Sequence, residues 1–254
     1  MLLTVDIGNT NTAIGIFQEK NLINEWRIRT EKDRTSDEYT LTLLNLLKYA
    51  HLEVSEVKSF IISSVVPPLT PVFQNLSQKL FRIKPVVVGP GLKTGMPILY
   101  ENPLEVGADR IAASVAAFEK YGGPCIVVDF GTATTFDAVS SKGEYLGGAI
   151  APGIQISAEA LFLKTAKLPR IEIRKPKRAI GRSTVSSMQS GLYFGYIGLI
   201  SNIIEKIKKE LSREARVIAT GGFAVHALPE IKSVDFFEPH LILEGLRIIY
   251  ERNR

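Results

Sequence analysis

The chain has 254 residues, enough for two domains of ordinary size, and its 45% apolar content can form proper hydrophobic cores. It has 31 basic and 26 acidic residues, a net charge of +5, and one cysteine, which excludes an intrachain disulfide and favours a reducing, cytoplasmic location. No basic region precedes an apolar core at the N-terminus, so we expect no secretory signal peptide.

The first stretch, LLTVDIGNTNTAIGIF, predicts a strand, a tight turn and a second strand. Gly8 and Asn9 tolerate a positive φ in such a turn, and Asp6 stands where the first strand meets it. In an ordinary hairpin this acidic residue would bond its own backbone. Alternatively, the small polar side chains let a phosphate chain approach while Asp6 takes Mg²⁺.

The rest of the first half alternates strands with helices, which indicates an α/β sheet covered by helices. The predicted elements are strands at 2–7, 13–17 and 23–28, a helix at 35–50 capped by Ser36 or Asp37, a strand ending at Pro67, a helix at 71–80 and a strand at 84–89.

The sequence EVGADRIAASVAAF predicts a helix from Ala108 toward Phe118, with Asp109 and Arg110 in its first turn. An acidic residue there can simply complement the helix dipole, which is worth about 0.3–1 kcal/mol, and Arg110 can form a surface ion pair. The functional alternative is a general base beside a guanidinium that grips a carboxylate with two hydrogen bonds.

The motif of the first turn occurs again in CIVVDFGTATTFDAV. Aligning the copies without a gap pairs Asp6 with Asp129, Gly8 with Gly131 and Thr12 with Thr135. A repeat of this length indicates a duplicated domain, so we place the domains at 1–115 and 116–254. Two such domains facing each other would bring both carboxylate turns to one cleft.

The second half follows the same plan as the first. Its later predicted elements are a helix at 184–211, a buried strand from Val217 to Ala219, a glycine turn from Thr220 to Gly222 that opens a helix, and a terminal helix at 239–252. A helix start with bare backbone suits a phosphate. TGG after a strand is also common in loops, so alone it is weak evidence for a phosphate site. Together with the two Asp turns, in the same cleft, it is stronger evidence.

Much of the positive charge lies between Lys167 and Arg182, in a segment with two prolines and no aromatic residue. Nucleic-acid sites usually add aromatic side chains to basic ones, so we expect a solvated or anion-attracting loop and no nucleic-acid partner. Residues 183–204 carry no charge, yet their serines, Gln189 and Asn202 make them too polar for a membrane span.

Six motifs, DIGNTNT, EVGADR, DFGTATTFD, GGAIAPG, TAKLP and TGG, occur in this order. With them the chain resembles the type III pantothenate kinases, a family of the acetate and sugar kinase, Hsp70 and actin superfamily. The resemblance implies an α/β fold of duplicated ribonuclease-H-like (actin-like ATPase) domains with a cleft between them. It also implies ATP-dependent phosphorylation of pantothenate to 4'-phosphopantothenate, the first step of coenzyme A biosynthesis.

The same resemblance implies roles for individual residues. Asp109 would be the catalytic base, Asp6 would serve Mg²⁺, and Asp129 would bind the monovalent cation, K⁺ or NH₄⁺, that the family needs. The residues implied for ATP are Asp6, Ile7, Gly8, Asn9, Thr10, Asn11, Thr12, Ala13 and Thr132, and those implied for pantothenate are Tyr100, Gly107, Ala108, Asp109, Arg110 and Thr184.

The first turn contains no lysine, so cations and neutral donors would have to balance the phosphate charge, which predicts weak ATP affinity. The family also implies a homodimer. The uncharged helix with Gly191, Gly195 and Gly198 is a candidate interface, although a helix buried within one subunit has the same pattern.

Two other functions remain open from the residues. A phosphohydrolase of the same superfamily would place water where the alcohol lies, and a non-catalytic regulator would keep the fold without the base. Asp109 beside Arg110 argues against both, because neither function requires a carboxylate-gripping arginine next to a proton acceptor.

Overall fold

The computed structural model describes residues 1–254. The chain forms two compact units: Met1–Lys120 together with His240–Arg254, and Tyr121–Pro239. Each unit contains one five-stranded mixed sheet with helices. We call them the first and the second unit.

The regular elements follow the chain in this order: β1 (Leu2–Ile7), β2 (Asn11–Gln18), β3 (Asn21–Arg29), α1 (Ser36–Tyr49), β4 (Ser59–Ser64), α2 (Leu69–Leu76), β5 (Val86–Val87), α3 (Ala108–Tyr121), β6 (Cys125–Phe130), β7 (Ala133–Val139), β8 (Tyr145–Pro152), α4 (Ile154–Lys164), α5 (Thr184–Leu211), β9 (Arg216–Thr220), α6 (Ala224–Ala227), β10 (Phe236–Phe237) and α7 (Leu241–Glu251). A π-helical turn at Ser77–Phe81 extends α2, and a 3₁₀ turn at Pro103–Glu105 precedes α3.

The sheet of the first unit has the strand order β3-β2-β1-β4-β5. Strands β1 to β3 form the predicted antiparallel meander, while β4 pairs in parallel with β1 and β5 in parallel with β4. All six residues of β1 are buried because it is the central strand. Tyr39 of α1 packs against Phe73 of α2, with ring centroids 4.8 Å apart, in the core on one face of the sheet.

The N-cap of helix α1 lies earlier than the two caps predicted from sequence. This N-cap is Thr35, not Ser36 or Asp37, because Thr35 and Glu38 form a reciprocal capping box: the Thr35 hydroxyl accepts the Glu38 N–H, and the Glu38 carboxylate accepts the Thr35 N–H at 2.8 Å.

The sheet of the second unit repeats the connectivity of the first. Its order is β10-β9-β6-β7-β8, with β6 to β8 antiparallel and β9 and β10 parallel to β6. The predicted duplicated α/β fold is therefore confirmed. Helix α5 covers one face through Tyr196, Ile200 and Ile204. Residues 167–182 form no helix or strand, as their prolines predict, and no helix of the described chain is long and apolar enough to cross a bilayer.

The structure divides the chain differently from the predicted boundary at 115/116, which falls inside α3. Residues 116–120 and helix α7, both assigned to the second domain from sequence, lie in the first unit. Helix α7 contacts β1, β2 and β4, where Leu241 and Leu246 are fully buried. The sequence of an amphipathic terminal helix shows which of its faces is buried. It does not show which of two similar sheets that face packs against.

Candidate active site

In the first unit, candidate residues gather where β1 and β4 end. The two strands run in parallel, with Asp6 opposite Ser63, so their carboxyl ends share one edge of the sheet. The Val65 N–H donates to the Ile7 carbonyl at 3.1 Å and continues this pairing beyond β4. Asp6 is largely buried, with 9% of its surface exposed. Open α/β sheets bind ligands at this edge.

The turn after β1 is closed by a hydrogen bond of 3.1 Å from the Gly8 N–H to the Asn11 carbonyl. The expectation of a positive φ at Gly8 or Asn9 is wrong, since neither residue adopts one. Glycine is required for a different reason: a Cβ at Gly8 would lie 2.9 Å from the Asn11 carbonyl oxygen. Asn9, Thr10 and Asn11 are exposed at the surface of the turn.

Thr12 differs from the exposed turn residues. It is fully buried in β2, and its hydroxyl lies 2.9 Å from the Thr30 hydroxyl of the segment that follows β3. The structure therefore gives this hydroxyl a partner inside the first unit.

Asp109 lies in the first turn of α3, next to the same sheet edge. Gly107 brings the chain close to the end of β4, because a Cβ on Gly107 would lie 3.4 Å from Cγ1 of Val65 and would collide with the Asp109 carboxylate. The Asp109 Oδ1 accepts the Arg110 N–H at 2.8 Å. Asp109 therefore belongs to the same edge as Asp6 and also satisfies a donor at the helix start.

The protonation of Asp109 is set by burial. Removal from water raises the pKa of this carboxyl above its ordinary value, and the Arg110 N–H and guanidinium offset only part of that effect. A raised pKa makes the carboxylate a better proton acceptor. Arg110 is itself buried, with 9% exposure, so it does not form the surface ion pair considered from sequence.

Tyr100 is half-buried and ends the irregular segment that follows β5. Asn102 caps the next 3₁₀ turn by accepting the Leu104 N–H at 3.2 Å, and that turn leads to Gly107. The first unit thus contains the whole first turn and every residue implied for pantothenate except Thr184.

The second unit has an equivalent edge at the carboxyl ends of β6 and β9, where Asp129 lies opposite Thr220. Gly221 has a φ of +91°, and a Cβ there would collide with the Asp129 carboxylate and the Phe130 main chain. The second Asp turn and the TGG turn therefore meet, as expected. The helix expected to open at TGG begins only at Ala224 and has four residues.

The GGAIAPG motif meets the same edge. Gly153 is the N-cap of α4, and a Cβ on it would collide with the carbonyl oxygens of Gly131 and Thr132 in the second turn. Thr132 is exposed there. Thr184 is also exposed and begins α5, after the N-cap Ser183.

Two polar residues near this edge were not predicted from sequence. The Tyr196 hydroxyl lies 2.6 Å from the Thr134 hydroxyl; burial, aided by the charge of Asp129, raises the pKa of Tyr196 to about 12. Asp137, the last residue of DFGTATTFD, is buried and accepts the Tyr145 hydroxyl at 2.7 Å. The only sequence signal for Tyr196 is its helical spacing with Tyr193 and Ile200, which predicts burial and no role.

The two carboxylates fit different cations. The described chain contains no group of three or more His, Cys, Asp or Glu able to hold a metal, so it offers no all-protein cage. Mg²⁺ in kinases is usually held by one or two carboxylates with waters and substrate phosphates, and the Asp6 edge suits that arrangement. At Asp129, the bare main chain of Gly221 packs directly against the carboxylate, so a cation at this edge would find oxygen ligands of the carboxylate and of the main chain.

Comparison with known proteins shows close relatives over the full length. The profile of the type III pantothenate kinase family matches residues 2–206. Type III pantothenate kinases from Geobacter sulfurreducens and Citrifermentans bemidjiense are 55% and 53% identical, and each comparison covers 100% of both chains.

Solved structures with low sequence identity share the fold. A Campylobacter jejuni protein titled as a Baf family transcriptional activator superposes with a TM-score of 0.62 at 20% identity, covering 99% of this chain and 98% of its own. The polyphosphate/ATP-glucomannokinase of an Arthrobacter species gives 0.53 at 14% identity, covering 100% and 99%. At these identities the likeness extends to the fold alone.

Proposed function

This chain belongs to the type III pantothenate kinase family, and on that premise we propose how its residues divide the work of ATP-dependent pantothenate phosphorylation. Asp109 is the proton acceptor, Arg110 holds the pantothenate carboxylate, and the turn after Asp6 receives the phosphates of ATP. The observation that carries this assignment is a half-buried carboxylate of raised pKa beside a buried arginine, at the sheet edge that also bears Asp6.

The reaction requires a proton acceptor because a primary alcohol does not ionise near neutral pH. The pantothenate oxygen attacks the γ-phosphorus, its proton passes to the Asp109 carboxylate, and the bond from the γ-phosphorus to the bridging oxygen of ADP breaks. One Asp109 oxygen is held by the Arg110 N–H, which orients the carboxylate for the transfer. Mg²⁺ bound by Asp6 would balance phosphate charge, and the exposed polar residues of the first turn would donate to the phosphates.

Pantothenate would lie against α3. The Arg110 guanidinium can bind its carboxylate through two parallel hydrogen bonds, which orients the substrate as well as attracting it. Tyr100, Gly107 and Ala108 would contact the substrate beside that helix start, where the missing Gly107 side chain lets the main chain come close to the Asp109 carboxylate.

A monovalent cation, K⁺ or NH₄⁺, would bind at Asp129. The first turn has no lysine, so additional positive charge is needed near the ATP phosphates, and Thr132 in the second turn supplies a neutral donor. A thermal melt offers a test apart from activity: K⁺ should raise the melting temperature of the parent more than Na⁺ does, and the Asp129→Asn variant should lose that difference.

A homodimer formed through α5 is supported by an exposed, uncharged face on that helix. Gly191, Gly195 and Gly198 have open space where a Cβ would stand, and Phe194 between them is 37% exposed. Exposed apolar area beside small residues allows close approach of another chain. Thr184 lies on the same helix face by its spacing of seven from Gly191, so dimer formation would bury it at the interface.

Sedimentation tests this interface. The parent should sediment as a dimer and Gly195→Arg as a monomer, because an arginine in that open space would oppose its symmetry mate. Lys209→Ala, an exposed change beyond the uncharged stretch of α5, should remain a dimer. A dimeric Gly195→Arg would exclude this face.

We also propose that the reaction takes place in the cytoplasm, since Cys125 is buried and unbridged.

The reaction itself is tested by coupled ADP release with ATP and Mg²⁺, with and without pantothenate, in K⁺ and in Na⁺. We expect ADP only when pantothenate and K⁺ are both present. ADP formation that does not depend on pantothenate would instead identify a phosphohydrolase. No ADP under any of these conditions, from a folded protein, would favour a non-catalytic regulator.

A further inference from the structure

The C-terminal residues of the chain hold an irregular loop of the first unit, residues 91–96. The Asn253 side chain binds both main-chain groups of Lys93: its Oδ1 accepts the Lys93 N–H at 3.1 Å, and its Nδ2 donates to the Lys93 carbonyl at 2.8 Å. Nδ2 also donates to the Ile249 carbonyl at 2.8 Å, which ties the side chain back to α7. This amide is therefore fixed at both ends.

Arg252 holds the next residues of the same loop. Its Nη1 donates to the Thr94 carbonyl, and its Nη2 lies 2.7 Å from the Glu119 carboxylate of α3. Gly95 has a φ of +71°, and a Cβ there would collide with the Arg252 guanidinium. The positive φ favours glycine at this position, and the missing side chain lets the loop pass close to the arginine.

Helix α7 also supports the start of α3. A Cβ on Gly245 would collide with the Ala112 carbonyl, so the two helices touch main chain to main chain. Ala112 is one helical turn beyond Asp109. Helix α7 therefore contacts α3, which has Asp109 and Arg110 in its first turn. The residues directly after α7 contact the loop that leads to Tyr100.

We propose that Arg252 and Asn253 are positioning residues for pantothenate: they fix the 91–96 loop, and through it Tyr100, relative to α3. The proposal rests on the function proposed above. The loop has other anchors as well: the Thr94 hydroxyl accepts the Met96 N–H at 3.3 Å, and the Met96 side chain is buried. Neither positioning residue belongs to the hydrophobic core, so their removal should loosen residues 91–95 without unfolding the unit.

The test compares steady-state kinetics of Asn253→Ala, Arg252→Ala and Arg252→Lys with the parent. Loss of a hydrogen bond that positions the loop should raise the apparent KM for pantothenate about three- to tenfold, while the apparent KM for ATP stays within about twofold and kcat falls little. Arg252→Lys keeps the charge but cannot bridge Thr94 and Glu119, so it should rescue only partly. The control is Arg254→Ala, which removes the same charge from a guanidinium that lies over the Tyr250 ring.

Hydrogen exchange on the free proteins provides a readout independent of activity. The Lys93 amide should exchange faster in Asn253→Ala than in the parent or in Arg254→Ala. The proposal is overturned if this exchange is unchanged, if pantothenate KM stays at the parent value despite faster exchange, or if ATP and pantothenate KM rise together. A parent that fails to phosphorylate pantothenate would overturn the proposed function instead, and the exchange result would still decide whether the C-terminus holds the loop.

Discussion

The two Asp turns come from one duplicated pattern, yet they are not superimposable copies. In the first unit the paired residues Ile7 and Thr12 enclose residues 8–11; in the second, Phe130 and Thr134 enclose residues 131–133, so the second turn is one residue shorter. The structural counterpart of Thr12 is therefore Thr134, not Thr135 as the gapless alignment indicates. A shift of one residue in a strand moves every following side chain to the other face.

The surroundings of the turns differ as well. Asp6 is largely buried beside β4 and close in the fold to the start of α3, whereas half-buried Asp129 lies against the bare Gly221. The first edge has an added helix start with a carboxylate and a guanidinium; the second has glycine turns on both sides. This difference in surroundings is the basis for our proposal that the first edge serves the alcohol substrate and the second a cation.

The largest effect should come from Asp109→Asn, which removes the proton acceptor from the first edge only. A positioned general base is typically worth about 10²- to 10⁴-fold in rate. Because the transition state of phosphoryl transfer is largely dissociative, the lower part of that range is expected. Pantothenate affinity measured by calorimetry should be nearly unchanged.

Asp37→Asn provides the matched control for that experiment. Asp37 also lies in the first turn of a helix, but it is exposed and paired with Lys79 at 3.1 Å. Its turnover should equal that of the parent. If Asp109→Asn retains turnover within about threefold, well below the usual contribution of a general base, Asp109 orients substrate and another group accepts the proton.

Asp129→Asn should have the next largest effect on the rate. It tests the edge of the second unit and leaves the edge of the first unit unchanged. On the cation proposal, this variant should lose about 10²- to 10³-fold in rate, as for removal of one group that stabilises developing charge, and the response to K⁺ should disappear with it. Titration of Mg²⁺ should show little change, because we propose that Asp6, not Asp129, holds Mg²⁺. Full activity of the parent in Na⁺ alone would contradict the cation proposal, and a lost response to both ions would show that the edges do not act separately.

Arg110→Lys should produce a smaller loss that is confined to one substrate. Lysine keeps the positive charge but cannot form two parallel hydrogen bonds to a carboxylate. Loss of one charge-assisted hydrogen bond corresponds to about 10- to 100-fold in pantothenate affinity, with ATP affinity unchanged. Equal losses for both substrates, measured by calorimetry, would show that Arg110 supports the edge as a whole.

The sequence predicts local features of this protein better than pairings made at a distance. The strand and helix positions follow from hydrophobic periodicity, which is a short-range signal. The meeting of the Asp129 and TGG turns is a distant pairing that is expected because both turns follow a buried strand. The unit that α7 covers, the partner of the Thr12 hydroxyl and the contact of Arg252 with Gly95 depend on residues far apart in sequence. The positive φ expected near Gly8 failed because close approach to the Asn11 carbonyl also requires glycine.

The smallest effect concerns stability, and its sign distinguishes the first edge from an ordinary helix start. Burial raises the pKa of Asp109 in the folded state above the unfolded value of about 3.9. Below the unfolded pKa the group is protonated in both states and costs nothing. As pH rises through the folded pKa, the ionised carboxylate destabilises the folded state, and above it the full cost applies. Asp109→Asn removes this charge, so near neutral pH it should melt at or above the temperature of the parent.

Thermal melts of the parent and Asp109→Asn across the acidic to neutral range test this expectation. The advantage of the variant should grow from low pH up to the folded pKa and then remain constant. Asp37→Asn, a change at an exposed position, is measured alongside as the control. An Asp109→Asn variant that is less stable than the parent at neutral pH would mean that the hydrogen bond to the Arg110 N–H and the charge of Arg110 outweigh desolvation. Asp109 would then be a stabilising helix-start residue, and its basicity would not be raised for catalysis.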